Sequence, residues 1–321
     1  MKIYKNINEV IGNTPLIRLQ HLPQDYHCNA EIILKLEGFN PGRSIKDRIA
    51  VSMIKEAENA GLIQRGSSTI IEATSGNTGI GLGMVCAANG YRLILTMPDN
   101  MSQERQQLLK AYGAEVVTTP AKLDMAGAIA RANELLASIP NSFSPQQFSN
   151  PANPKIHYLT TGPEIWADTE GKIDVLVVGV GTGGTLTGAG YYLKQQKPEL
   201  KIIAVEPTAS AVLSGKNRGL HDIQGIGAGF IPDVLREDLI DEVVQVTEEE
   251  AYKFGRLLAE KEGIMSGIST GAVVSVALKI GSGSDYRDRT IVTIQASGGE
   301  RYLSTKMFQP QSVAAVAGYN G

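Results

Sequence analysis

Short apolar runs alternate along the chain with longer segments in which apolar residues recur every three or four positions, and glycines stand at most of the junctions. Gly12-Asn13-Thr14-Pro15 turns the chain into a short strand at 16–19, the polar stretch 20–30 reads as a surface loop, and Ile32-Ile33-Leu34-Lys35-Leu36 reads as a second strand. Asn40-Pro41-Gly42 ends that strand and a helix begins at once. Ile45, Ile49, Met53 and Ala57 keep helical spacing and Gly61 closes the run. Ser44 with Asp47 three places on predicts a capping box, with Lys46 in the first turn. Further strands are predicted at 69–72, 93–97 and 115–118, with helices at about 80–88 and 102–112 and within 123–138.

Phe148-Ser149-Asn150-Pro151-Ala152-Asn153-Pro154 has the punctuation of a domain crossing. Beyond it the alternation resumes. Pro163 suits the first turn of a helix containing Trp166, and strands follow at 173–178, 201–205, 243–246 and 290–296. A helix runs from the glycine turn at 179–184 to about 195. Thr247 and Glu250 cap another, and Ser269-Thr270-Gly271 opens a third. This order predicts an α/β protein with mostly parallel sheets. Residues 207–232 are Gly-rich and irregular, a length usually reserved for a functional loop, and 309–321 read as a flexible tail.

Composition narrows the function. The 321 residues are enough for two domains, and at 42% hydrophobic and 20% charged they resemble an ordinary globular protein. A net charge of -3 gives no electrostatic case for nucleic acid or an anionic membrane as partner. Cys28 and Cys86 are too few for a disulfide framework. The first residues lack an apolar signal core and no apolar run approaches spanning length, so the expected compartment is the cytoplasm. His21, His27, His157 and His221 show no metal-ligand spacing, so no metal is expected, and all four read as surface or core residues.

The chemistry concentrates at three helix starts. A lysine used covalently needs a lowered pKa, and Lys46 sits where a helix dipole disfavours its proton. Thr74-Ser75-Gly76-Asn77-Thr78-Gly79 gathers hydroxyls and amides around one small anion position that suits a carboxylate. Gly179-Val180-Gly181-Thr182-Gly183-Gly184 follows a strand and opens a helix, so its amides suit a phosphate. Two readings stand for this turn. Its spacing fits a dinucleotide site with Glu206 as the ribose acid, and it fits a phosphate monoester equally, with Thr182 and Thr185 adding hydroxyl donors. Lysine, carboxylate cradle and phosphate cradle together are the parts that pyridoxal phosphate and an amino acid require.

With these motifs the chain resembles the cysteine synthases (O-acetylserine sulfhydrylases) of the β-family of pyridoxal-phosphate enzymes. The resemblance runs from Gly12-Asn13-Thr14-Pro15 to Tyr302-Leu303-Ser304-Thr305. Its most specific pieces are Ser44-Ile45-Lys46-Asp47-Arg48, Thr74-Ser75-Gly76-Asn77-Thr78-Gly79, Gly181-Thr182-Gly183-Gly184-Thr185, Gln224-Gly225-Ile226-Gly227-Ala228-Gly229-Phe230 and Gly299-Glu300-Arg301-Tyr302. The resemblance implies fold type II, tryptophan synthase β-like, with two three-layer α/β domains. Residues 40–150 would form the smaller domain, with a mobile part at about 92–136, and 1–39 plus 151–308 the larger. It implies pyridoxal 5'-phosphate on Lys46 as Schiff-base lysine and general base. Asn77 would bond the ring hydroxyl, Gly181, Thr182, Gly183, Gly184 and Thr185 would hold the phosphate, and Ser297 would face the pyridine nitrogen. Thr74, Ser75, Asn77, Thr78 and Gln147 would bind the substrate carboxylate, with Gly227 in the loop at the entrance.

The implied reaction is β-replacement of O-acetyl-L-serine by sulfide through an aminoacrylate. A homodimer and a docked serine acetyltransferase C-terminal tail are implied as partners. Homocysteine as nucleophile and O-phosphoserine as donor stand as alternatives, as does a non-enzymatic module sensing NAD or a metabolite. Two positions depart from the family pattern. Arg43 stands where a small residue is expected, and Ala296-Ser297-Gly298-Gly299 replaces a run richer in Pro and Ser.

Overall fold

The structure is a computed structural model that describes residues 3–101 and 103–309. The tail expected beyond 309 and the helix start expected at Ser102 lie outside those residues.

The first sheet collects strands from both ends of the chain. It contains β1 (Leu16–Arg18), β2 (Glu31–Leu36), β7 (Val175–Gly179), β8 (Lys201–Pro207), β9 (Glu242–Val246) and β10 (Thr290–Gln295), in the order β1-β2-β10-β7-β8-β9. Only β1 runs antiparallel, to β2; every other pair is parallel. The second sheet is wholly parallel, in the order β5-β4-β3-β6, from β3 (Thr69–Ala73), β4 (Arg92–Pro98), β5 (Glu115–Thr119) and β6 (Ser142–Phe143). β6 has only two residues, too few to leave a periodic signal.

The central strands read as continuous apolar runs because both faces are covered. Val175 and Val177 enter one core with Ile203, Val205 and the helices α9 (Glu248–Glu262) and α10 (Ile268–Gly281). Leu176 and Val178 enter the opposite core with Ile202, Ala204 and Leu186 of α8 (Gly184–Gln196). In the second sheet Ile70, Leu93 and Leu95 face α2 (Lys46–Asn59) and α3 (Asn77–Asn89). Ile71 and Ile94 face Ala132 of α5 (Asp124–Ser138). The remaining helix here is α4 (Gln103–Ala111).

Local signals hold where partners are local. Thr247 and Glu250 form the predicted capping box at the start of α9. Pro163 lies in the first turn of α7 (Gly162–Asp168), but α7 continues from α6 (Ala152–Ile156) through a π-helical segment at His157–Thr161. Two expectations are corrected. The stretch 20–30 contains a helix, α1 (His21–Asp25), because the Glu262 carboxylate accepts the amides of Gln20, His21 and Leu22 at 2.8–3.0 Å and Leu22 is buried. The Ser44/Asp47 capping box does not form. Ser44 Oγ accepts the Lys46 amide at 3.2 Å, and Asp47 reaches back to the Gly42 amide at 2.6 Å instead.

Candidate active site

Lys46 is placed by a join between the two sheets. Ser44 bridges Ser297 just beyond β10, and the Ile45 amide donates to the Ala296 carbonyl at 2.9 Å. The first turn of α2 thus stands at the carboxyl end of the larger sheet, where open α/β sheets bind ligands. Lys46 is only half-buried by surface, since it lines a cleft. Protein nonetheless surrounds its ammonium closely enough for desolvation to pull the pKa down to about 8. Beside it burial pushes Asp47 up to about 7, against the opposing pull of the Gly42 amide and Arg301.

An inner cavity is lined by Lys46, Asn77, Gly181, Thr182, Gly183, Thr185 and Ser297 together. It opens into an outer cleft that adds Thr74, Ser75, Thr78, Gln147 and Gly227. Of the residues singled out in the sequence, only Gly184 lies behind the wall, where it starts α8.

The fit to pyridoxal phosphate rests on the donor set. Gly181 needs to be glycine because a Cβ there would run into the Gly225 carbonyl, and Gly183 has φ +80°. The backbone therefore lies open to the cavity at the N-terminus of α8, with Thr182 and Thr185 beside it, an arrangement that suits a phosphate. At the opposite end Ser297 Oγ lies 3.0 Å from the Tyr302 hydroxyl, which accepts from Asn77 Nδ2 at 3.2 Å. Arg301 donates to Asn77 Oδ1 at 2.7 Å and to the Gly42 carbonyl. The space between these ends holds the lysine, as a phosphorylated aromatic aldehyde requires.

In the outer cleft Thr78 Oγ1 donates to Gln147 Oε1 at 2.6 Å, which turns the Gln147 amide nitrogen toward other acceptors. The first amides of α3 have no acceptor within the helix and meet the cleft at Gly76, Asn77 and Thr78. Arg105 of α4 crosses the cleft, donating to the Ser75 carbonyl at 3.1 Å and to Gln224 Oε1. The 224–230 loop is tied down by the Gly227 amide on the Val180 carbonyl at 2.9 Å and by His221 Nε2, 3.0 Å from the Gly227 carbonyl.

Several functional neighbours carry no signal in the sequence. Arg48 donates to both oxygens of Glu37 at 2.8 Å and to both oxygens of Glu164 at 2.7–2.8 Å. Lys35 pairs with Glu164 at 2.9 Å, and Thr14 donates to Glu37 at 2.6 Å. Burial alone would raise the Glu37 pKa, but Arg48 and Lys35 bring it down to about 2. This network ties β2, α2 and α7 together under Lys46. His157, read as bland, stands behind Thr185, 3.2 Å from its hydroxyl. Glu206, the candidate ribose acid, is buried and accepts the Leu213 amide at 2.8 Å, the Ser214 amide at 3.0 Å and the Ser214 hydroxyl at 2.6 Å. It closes the turn after β8. Among the described residues no cluster of His, Cys, Asp and Glu could hold a metal, and no helix is long and apolar enough to cross a membrane.

The family model described as "Pyridoxal-phosphate dependent enzyme" matches residues 7–296. A cysteine synthase of Staphylococcus aureus is 50% identical over 308 residues, covering 94% of this chain and 96% of the relative. A solved cysteine synthase of Entamoeba histolytica superposes with a TM-score of 0.93 at 43% identity, over 97% of this chain and 92% of that one. An O-acetylserine-dependent cystathionine β-synthase of Helicobacter pylori superposes with a TM-score of 0.89 at 38% identity, over 96% of this chain and all (100%) of that one. By matched sequence, fold type and the lysine-centred cavity alike, the chain belongs to the pyridoxal-phosphate-dependent enzymes.

Proposed function

We propose that the protein is a cysteine synthase that converts O-acetyl-L-serine and sulfide to L-cysteine and acetate. The observation that carries this reading is the desolvated Lys46, set in one cavity with the phosphate turn and opening onto a carboxylate cradle. The half-identical cysteine synthase over nearly the whole chain supports the same substrates.

Pyridoxal phosphate, when bound, supplies an aldehyde that condenses with an amine and a ring that draws electrons from the substrate Cα. The chain's residues do the rest. The amides at Gly181, Gly183 and Gly184, with Thr182 and Thr185, hold the phosphate. Thr74, Ser75, Thr78, the first amides of α3 and the free Gln147 amide nitrogen take the substrate carboxylate. That fixes Cα in front of Lys46. Once displaced by the substrate amine, Lys46 removes the Cα proton as general base and acetate leaves from Cβ. Hydrosulfide then adds at Cβ, and Lys46 returns the proton to Cα. Ser297 meets the ring nitrogen as a neutral partner. It draws less electron density than a cationic ring would, which favours elimination over racemisation.

Residues 40–150 act in this reading as a smaller domain that closes on the larger (1–39 plus 151–308), with 92–136 as the moving part. Arg105 on α4, reaching across to Gln224, supports such an approach. Closure excludes water while Cβ is reactive. The same cradle suits the terminal carboxylate of a serine acetyltransferase tail. A cytoplasmic homodimer is the setting proposed.

The likeness to the Helicobacter pylori enzyme favours homocysteine as a second nucleophile. A matrix of O-acetylserine, serine and phosphoserine against sulfide, thiosulfate and homocysteine tests the assignment. Turnover should be highest for O-acetylserine with sulfide. A clear preference for any other pair overturns it.

A further inference from the structure

Asn153 is fully buried in the first turn of α6, on the segment that crosses between the two sheets. Its side-chain nitrogen donates to the Gln147 carbonyl at 2.8 Å and to the Thr182 hydroxyl at 3.0 Å. Both hydrogens of one amide are therefore committed to the two anion sites. The orientation is forced, because the Gln147 carbonyl can only accept. Asn153 Oδ1 meanwhile has no hydrogen-bond partner and lies where a Cβ on Gly184 would stand. Buried amides rarely leave their oxygen unpaired, so the placement of this NH2 group asks for a reason.

The partners supply one. Thr182 Oγ1 accepts from Asn153 and from the Gly184 amide at 3.3 Å, so both lone pairs are occupied. Its own hydrogen is left to donate into the cavity that Thr182 lines, as an anion there requires. On the other side Gln147 is gripped at both ends of its peptide. The buried Glu72 carboxylate accepts its amide at 3.3 Å, along with the Gln146 amide at 3.1 Å and the Ser144 hydroxyl at 2.8 Å, while Asn153 holds its carbonyl. A displacement of Gln147 toward a bound carboxylate is thus passed to Asn153 and on to Thr182.

We propose that Asn153 is a positioning residue that couples the two anion sites, so that a carboxylate in the Thr74–Thr78 cradle tightens the hold of the glycine turn on the cofactor phosphate. By linkage, the phosphate strengthens carboxylate binding equally. The coupling rests on the site roles proposed above, and its test separates the two.

The holoenzyme is first trapped with borohydride at Lys46; failure there overturns the site reading itself. Loss of bound cofactor to an excess of scavenging carbonyl reagent is then timed by absorbance, with and without saturating propionate. Propionate has no amine and cannot displace Lys46, and its saturation is set by competition with O-acetylserine. It should slow cofactor loss in the unaltered protein about fivefold or more, the lower edge of common couplings. Asn153→Ala and Asn153→Asp should still bind propionate but show a ratio near one. Thr182→Val should do the same and Thr182→Ser should restore the ratio. This second pair decides the matter if the Asn153 variants do not fold. No slowing in the unaltered protein, or an undiminished ratio in Asn153→Ala or Thr182→Val, overturns the coupling while leaving the lysine assignment intact.

Discussion

The His157 ring stands between two hydroxyls, with Nε2 3.2 Å from Thr185 Oγ1 and Nδ1 2.9 Å from Thr161 Oγ1. Burial, reinforced by the positive charges of Arg48 and Lys46 and opposed by Glu37, holds its pKa at about 3. The ring is therefore neutral, and one nitrogen donates while the other accepts.

That neutrality makes stability depend on acid. A histidine whose folded pKa is depressed contributes stability that is complete above its unfolded value near 6.5 and is lost as pH falls toward about 3. Between pH 7 and pH 5 the cofactor-free protein should lose about 2 kcal/mol through this group. His157→Gln does not titrate and should lose that much less over the same interval. Denaturant unfolding at the two pH values measures the difference, and parallel losses would remove His157 from the account.

Arg48 is buried against Glu37 and Glu164, and removing one partner strands the other charges out of water. Arg48→Met should destabilise the protein by about 3–5 kcal/mol. Adding Glu37→Gln should recover part of that loss. The denaturant midpoint, at an unchanged m-value, reports both.

With its pKa at about 8, Lys46 in the cofactor-free protein is mostly protonated at pH 7 and mostly neutral at pH 9. Only the neutral amine attacks an aldehyde. The rate of cofactor capture should therefore rise about tenfold between those values, following the neutral fraction. Stopped-flow absorbance measures it. A profile still climbing steeply beyond pH 10 would mean that burial does not activate this lysine.

Gln147 holds the carboxylate through its side chain and touches the phosphate turn only through its backbone. Gln147→Ala should raise KM for O-acetylserine and slow elimination together, with cofactor content unchanged. Hydrogen exchange across 92–136, with and without a non-reacting amino acid, should show new protection on saturation. Unchanged protection would make the cleft a static site.

Arg43 adopts φ +66°, a region that favours glycine, and its guanidinium pairs with Glu300 where both side chains are half-exposed. An exposed pair contributes at most about 1 kcal/mol, and relief of a left-handed backbone is worth about as much. Arg43→Gly should thus shift stability by less than about 1 kcal/mol and leave cofactor binding intact. Loss of cofactor in that variant would show that the Arg43–Glu300 pair shapes the cavity rim.

Much of the site is legible in the sequence because it is built at helix starts. Lys46, Thr78 and Thr182 are found from caps, glycines and hydroxyls within a few residues, where backbone hydrogen bonds repeat at short spacing. The capping box at Thr247 forms for the same reason, since both its partners lie within one turn. So do the apolar runs of β7 and β8, whose alternate residues fill two cores.

Tertiary structure decided whatever needed a partner from afar. Asp47 turned from Ser44 to Gly42, and α1 formed where polarity suggested a loop, because Glu262 meets Leu22 across 240 positions. Arg48 and Glu164 met across 116 positions, and their burial together shifted charges that composition counts as ordinary. Asn153, legible only as a residue between two prolines, became the contact between two anion sites. The periodicity of a chain encodes which face of an element is buried. The identity of the group across that interface, and the desolvation that sets its charge, exist only once distant segments have packed.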